Sequence, residues 1–379
     1  MDFRLCGAKV LHPGGPADAP LSIAGGHIAG SGGRDVDLSG YMVLPGIVDI
    51  HGDGFERHVA PRRGAMKDVA TGLVANEAEL AANGITTAVL AQFYSWEGGM
   101  RGPEFAARVL EGLDAMRGAV ATDLHAQLRI ETCMLDGYDG AEALIAQHDI
   151  PYVVFNDHLP HEALAKGKRP PRLTGQALRI GKNPEKHLAD LQAMHARLGE
   201  VPGAVAALSR RLVARGVRLG SHDDRSADQR KVWHDLGVRI AEFPETLEGA
   251  EAAHGAGDAV IMGAPNLARG GSHKENTSAV DLVAMGLVGA LASDYHYPSL
   301  SRAAFLVADA GLADLAGAWA LVSSGPAAML GLHDRGTLAP GLRADIVILD
   351  AATRRIAATL AAGRFSYLSG GAAERFLAA

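Results

Sequence analysis

Between Val43 and Asp294 the chain repeats one local theme: a short apolar run of β-type residues, then an amphipathic helical stretch. The runs read as strands over 43–53, 85–92, 124–132, 151–158, 217–223, 239–244, 259–265 and 288–294. Helical patterns separate most of them, over 67–83, 105–117, 184–197 and 204–215. Strand–helix alternation builds a parallel sheet whose faces are covered by the helices. Eight such units have the size of a (β/α)8 barrel. The run 259–265 is the weakest stave and is also readable as a strand within a loop.

The two ends of the chain differ from this middle. Residues 3–11, 21–24, 27–29 and 36–38 are short β-type pieces broken by Gly and Pro, and 345–350 and 356–360 return to that style. The expected architecture is an α/β protein. A (β/α)8 barrel over 46–336 carries a small β-sandwich built from 1–45 and 337–379.

The strand ends hold the chemistry. The first ends in His51-Gly52-Asp53, the third in Arg129-Ile130-Glu131 and the fourth in Asn156-Asp157-His158. The fifth ends in Ser221-His222-Asp223-Asp224 and the last in Ser293-Asp294-Tyr295. Strand residues at i and i+2 share a face, so His51 and Asp53 can converge on one point. Barrel active sites form where the strand C-terminal ends meet. Any one of these residues is also readable as a satisfied polar strand end, but five such ends at one face point to a metal site.

Imidazoles with carboxylates suit Zn²⁺, Mn²⁺ or Fe²⁺, whereas Ca²⁺ prefers oxygen alone. His51, Asp53, Glu131, His158 and His222 are the expected ligands for one or two ions, zinc foremost, with Glu131 as a candidate bridge. Such a site lowers the pKa of a bound water to about 7. Asp294 is the expected general base beside it.

Composition narrows the partners. The net charge of −7 argues against a general polyanion binder. The 5% aromatic content argues against a stacking platform for single-stranded nucleic acid. Cations gather locally instead. Arg57 and the pair Arg62-Arg63 follow the first strand end, and Arg269-Gly270-Gly271-Ser272-His273-Lys274 offers backbone N–H groups, two cations and a hydroxyl for an anion. Arg57, Arg62, Arg269, Ser272 and His273 are therefore the candidate substrate contacts, Arg62-Arg63 being equally readable as a solvated pair. The basic, Pro-broken stretch 166–172 reads equally as a solvated loop or a cover over the substrate.

Two cysteines far apart, Cys6 and Cys133, favour a reducing compartment, with Cys133 a core residue. With no apolar segment long enough to span a bilayer and no signal peptide, a cytoplasmic protein is expected, without a membrane partner and with homo-oligomerisation left open.

Several motifs resemble the amidohydrolase superfamily: Gly84-Ile85-Thr86-Thr87, the run 324–332 beginning Ser-Gly-Pro-Ala, and the run 336–345 from Gly336 to Asp345. Others resemble one branch, the phosphonate-metabolism diphosphatases of the carbon–phosphorus lyase pathway. These are 51–57 from His51 to Arg57, Ala60-Pro61-Arg62, 221–224, Ala241-Glu242-Phe243-Pro244, Met262-Gly263-Ala264-Pro265-Asn266, 269–273 and 293–295. The resemblance implies a metal-dependent barrel with a β-sandwich from both termini. It also implies hydrolysis of α-D-ribose 1-methylphosphonate 5-triphosphate to the 5-phosphate and pyrophosphate, a phosphoanhydride rather than an amide reaction. The superfamily usually carries His-x-His at the first strand, whereas His51-x-Asp53 matches the branch. Residues 159–221 match it poorly. A cyclic-amide or N-acyl hydrolase on the same scaffold, and a non-catalytic binding barrel, are the competing readings.

Overall fold

A computed structural model describes residues 2–60, 68–269 and 277–378. Its centre is an eight-stranded parallel sheet in strict chain order: Ile47–Gly52, Ile85–Tyr94, Asp123–Glu131, Tyr152–Asn156, Arg218–His222, Ile240–Glu242, Ala259–Gly263 and Ala290–Ala292. The weak run at 259–263 is a true stave, pairing in parallel with the sixth and eighth strands. The sheet closes where Gly52 bridges Asp294. There the Asp294 N–H donates to the His51 carbonyl at 3.0 Å and the Asp53 N–H to the Asp294 carbonyl at 2.8 Å. A buried side-chain clasp supports the seam: the Ser293 hydroxyl donates to Asp49 Oδ2 at 2.5 Å and its N–H to Oδ1 at 3.0 Å.

Strand parity sorts the core. Val48, Ile50, Val89, Tyr152, Val154, Ile240 and Ile261 form a buried inner cluster. Alternate residues such as Leu128, Ile130, Val153, Phe155, Leu219 and Met262 join the larger cluster under the helices. The helices run over Val69–Ala82, Pro103–Met116, Pro184–Ala196 and Val201–Ala214, within a few residues of the sequence expectation. Asp68 and Asn183 cap two of them by accepting backbone N–H groups.

The expected strand 43–53 is two strands, Tyr41–Pro45 and Ile47–Gly52, broken at Gly46. A Cβ at Gly46 would lie 2.3 Å from Thr86 Oγ1, so this crossing takes only glycine. Tyr41–Pro45 leaves the barrel and pairs with Ile346–Asp350 in a six-stranded sheet made from both ends of the chain. A four-stranded sheet of Phe3–Cys6, Leu21–Ala24, His27–Ala29 and Arg34–Asp37 lies with it around Leu5, Ile23, Val36, Val43, Ile346 and Ile348. Residues 3–11, expected as one piece, split at the positive-φ Gly7.

The stretch 166–172 links helices His161–Ala165 and Leu173–Arg179. Leu164, Leu173 and Leu191 from this insertion bury themselves against Trp96, Cys133 and Leu159 at the barrel mouth. Among the described residues no helix is long and apolar enough to cross a membrane. Cys6 and Cys133 are both free thiols.

Candidate active site

The first strand delivers its histidine through an irregularity. Val48 and Ile50 face the inner cluster while Asp49 turns outward to Ser293. Simple alternation would turn His51 outward as well. The pairing with the second strand slips between Asp49 and Gly52, and this bulge re-aims the backbone. His51, fully buried, then donates from Nδ1 to Glu242 Oε2 at 2.9 Å.

Glu242 ends the sixth strand and is saturated. Its Oε2 also accepts from His222 Nδ1 at 3.3 Å, while Oε1 accepts from Gln127 at 2.6 Å and from the Tyr152 hydroxyl at 2.7 Å. Burial pushes this carboxyl up, but the two imidazoles outweigh it and hold it well below the usual carboxylate range. The His51 and His222 rings stack with centroids 5.7 Å apart. Burial opposes charge on both. Glu242 still draws the pKa of His51 upward, whereas the nearby Arg129 guanidinium helps to lower that of His222.

The third and fourth strands form a second group. His158 donates from Nδ1 to Glu131 Oε1 at 2.5 Å and from its backbone N–H to Oε2 at 2.9 Å. Arg129, on the same strand face as Glu131, joins the two groups by donating to Asn156 Oδ1 at 3.1 Å and to His222 Nε2 at 3.0 Å. Phe93 carries the Arg129 guanidinium 4.0 Å from its ring centroid and that of Arg101 at 4.3 Å.

Asp294 sits at the barrel seam with φ 55°. Asp223 and Phe243, each one residue past a strand end, have φ 60° and 52°. Left-handed backbone at non-glycine residues costs energy and clusters where structure serves a site. Burial, then the charge of Asp53, pushes the Asp294 carboxyl up to about 6. The same two causes push Glu56 up to about 7.

These donors fit a divalent cation. His51 is buried with Nδ1 tied to Glu242, and its Nε2 has no hydrogen-bond partner. Burial first, and the charge of Asp53 second, disfavour the ionised forms of Asp294 and Glu56, and a cation beside them would favour those forms. Of the predicted ligands, His51 and His222 meet at Glu242 and His158 meets Glu131, with Arg129 between the two groups, while Asp53 is tied to the seam by its backbone bond to Asp294. His51 keeps a nitrogen without a hydrogen-bond partner. His222 offers the nitrogen that Arg129 now engages, and both Glu131 oxygens are occupied by His158.

Two of the predicted substrate contacts flank Asp294. Arg57 donates to the Tyr295 carbonyl at 2.9 Å, pairs with Glu79 and lies over Tyr297. Arg269 lies 5.9 Å from the Tyr295 ring centroid and donates to Asn266. Arg62, Ser272 and His273 lie outside the described residues. Glu242, Arg129 and Glu56 had no predicted role. Glu242 lies within the run 239–244 and the motif Ala241-Glu242-Phe243-Pro244, and Glu56 within the motif 51–57, which were the available signals.

Two cavities open above the cluster. One of about 620 Å³ is lined by Asn156, His158, His161, His222, Asp223 and Arg225 among others. The other, about 920 Å³, lies between Glu56, Trp96, Arg101 and His158 on the barrel and Pro170, Arg172 and Arg179 on the insertion. The stretch 166–172 therefore walls the mouth at its Pro170–Arg172 end. Lys166 and Arg169 pair with Glu162 and Glu185 at the surface.

No protein-family model matches the chain. Among solved structures, N-acetylglucosamine-6-phosphate deacetylase from Pasteurella multocida superposes with a TM-score of 0.64 at 10% identity, covering 96% of this chain and 99% of that one. A triazine hydrolase variant gives 0.63 at 13% identity, covering 100% and 98%. These likenesses establish the barrel-plus-sandwich fold. A curated relative, the α-D-ribose 1-methylphosphonate 5-triphosphate diphosphatase of Escherichia coli (strain K12), is 33% identical over 329 residues, which is 83% of this chain and 84% of the relative. The chain belongs to the family of that diphosphatase.

Proposed function

We propose that this protein is a divalent-metal-dependent diphosphatase. It would hydrolyse the 5-triphosphate of a ribose phosphonate at a phosphoanhydride bond and release pyrophosphate. The observation that carries the reading is the mouth itself. A carboxylate–imidazole cluster with an unpartnered His51 Nε2 lies beside a cavity whose walls bear Arg172 and Arg179, together with Glu56 and the Arg101–Glu97 pair at 2.9 Å. A neutral amide needs no such cations, whereas a triphosphate does. The substrate class follows the name of the 33% identical relative.

His51 and Asp53 would hold the metal, joined by His222 and by His158 or Glu131; zinc suits this set, with manganese or iron as alternatives. A bound divalent ion supplies Lewis acidity toward water and phosphoryl oxygen. Glu242 keeps both Nδ1–H groups pointed at itself and so leaves the opposite nitrogens as lone-pair donors. Asp294, with its carboxyl near 6, takes the proton of the attacking water at neutral pH. Arg129 and Arg101 hold the phosphate chain beside Phe93, with Arg57, Arg269, Arg62, Ser272 and His273 on the Asp294 side.

The test is pyrophosphate release from a panel of sugar 5-triphosphates by metal-loaded enzyme, alongside turnover of cyclic-amide and N-acyl compounds. Pyrophosphate release that requires metal is expected. Amide turnover with no pyrophosphate from any triphosphate would overturn the reading and leave an amidohydrolase on this scaffold.

A further inference from the structure

Beside the central cluster lies a group of side chains with no part in the reading above. Cys133 is 2% exposed and follows Glu131 by two residues. Asp157 precedes His158, and His161 opens the first helix of the insertion. Cys133 Sγ lies 3.8 Å from Asp157 Oδ1 and 3.9 Å from His161 Nε2, which is 2.9 Å from both Asp157 oxygens. The three donor atoms all fall within 4.8 Å of one another.

Tetrahedral zinc, with bonds of about 2.3 Å to sulfur and 2.0–2.2 Å to nitrogen and oxygen, spaces its ligand atoms roughly 3.3–3.6 Å apart. Shifts of about half an ångström bring this trio onto that geometry.

The surroundings select the ligand form. The other ring nitrogen of His161, Nδ1, is 3.1 Å from His195 Nδ1 on helix Pro184–Ala196. In the metal-free protein His161 Nε2–H donates to Asp157; a metal would replace that proton at Nε2, and the ring proton then sits on Nδ1 toward His195. A ligating imidazole is normally held this way through its second nitrogen. The Leu159 N–H donates to Asp157 Oδ1 at 3.2 Å and fixes the carboxylate. Asp157 and His161 also line the cavity of about 620 Å³, so a fourth coordination position faces open space.

We propose that Cys133, Asp157 and His161 form a second metal site, distinct from the central cluster, for a thiophilic divalent cation of the zinc type. The thiol loses its proton to solvent as the metal–sulfur bond forms. The fourth position takes an exchangeable oxygen ligand from the cavity. A thiolate, an imidazole and a carboxylate favour zinc over magnesium or calcium. Cys133 belongs to the barrel and His161 to the insertion, so the ion ties the wall bearing Arg172 and Arg179 to the mouth.

The test uses the full chain, stripped of metal and titrated with Co²⁺. Thiolate-to-cobalt charge-transfer absorption in the near ultraviolet is expected in the unmodified protein, in Cys6→Ser and in His51→Ala. It should vanish in Cys133→Ser, which should also bind one cobalt fewer. Cys133 and Cys6 are the chain's two cysteines, so in Cys6→Ser any such absorption comes from Cys133, and this variant decides the matter even if Cys133→Ser fails to fold. His195→Ala should weaken the absorbing site about 10–100-fold. Absence of the band in unmodified protein, or its persistence in Cys133→Ser, overturns the proposal. Loss of the central metal in His51→Ala with the band intact separates this site from the diphosphatase reading.

Discussion

His51 and Glu242, 191 residues apart, meet at 2.9 Å with both side chains shut off from solvent. The contact fixes which nitrogen of His51 keeps its lone pair. The carboxylate in turn depends on Gln127 and Tyr152 for its other oxygen. A glutamine at this position cannot accept from both imidazoles and both other donors at once. Glu242→Gln is therefore expected to weaken metal binding about 10–100-fold, read by competition with a chelator. Glu242→Ala leaves buried donors unpaired and should cost about 3–5 kcal/mol of stability, measured by denaturant unfolding. Unchanged metal affinity in Glu242→Gln would remove Glu242 as the positioning group.

Asp294→Asn keeps shape and loses basicity. The expected outcome is a fall in kcat of about 10²–10⁴-fold, with metal content by elemental analysis unchanged. Near-normal turnover would assign the proton to another group.

Burial and the charge of Asp53 push the Glu56 carboxyl up to about 7 and that of Asp294 up to about 6, so that around pH 6.5 Glu56 largely keeps its proton in metal-free protein and Asp294 keeps its proton in part. A cation binding beside them expels those protons. Calorimetric titration with Zn²⁺ at pH 6.5 in buffers of different ionisation enthalpy should show proton release that is smaller in Glu56→Gln. Equal release by the two proteins would contradict this charge arrangement.

Arg172 and Arg179 approach the mouth from the insertion. Arg172→Ala, Arg179→Ala and Arg269→Ala are each expected to raise KM for a sugar triphosphate several-fold and to leave metal content intact. The same variants should lose part of the thermal shift that pyrophosphate gives the unmodified protein, since a ligand of the folded state stabilises by mass action. Unaltered KM in all three would place the phosphates elsewhere.

Asp123 gives a pH prediction away from the site. It accepts from Arg335 at 2.6 Å and pairs with His125 at 3.2 Å. Burial pushes its carboxyl up, but His125 and Arg335 outweigh burial and hold it well below its ordinary value. A depressed folded pKa contributes stability that is present above the unfolded value of about 3.9 and is lost as pH falls below it. Urea unfolding between pH 7 and pH 3 should show that acid loss in the unmodified protein and a shallower one in Asp123→Asn. Parallel curves for the two proteins would refute the assignment.

Much of this was legible along the chain, because periodicity and strand ends are local properties. The strand–helix alternation predicts the barrel, and β-type pieces at both ends predict the terminal sheets. His51, Glu131, His158, His222 and Asp294 stand out because each closes or directly follows a strand-like run. Partnership was not legible. His51 reaches the inner face through a slip against the second strand, which period-two alternation does not reveal. Glu242 matters because closure sets it between two imidazoles. Glu131 is engaged by His158, and Arg129, its neighbour on the same face, reaches His222. The solvated and covering readings of 166–172 were equal in sequence, and the structure divides the stretch: 166–169 are exposed, whereas Pro170–Arg172 line the mouth cavity. Sequence pattern sets which residues face inward and at which height. Which of them touch is settled by competition among many buried donors and acceptors for few partners, and that competition exists only once the barrel has closed.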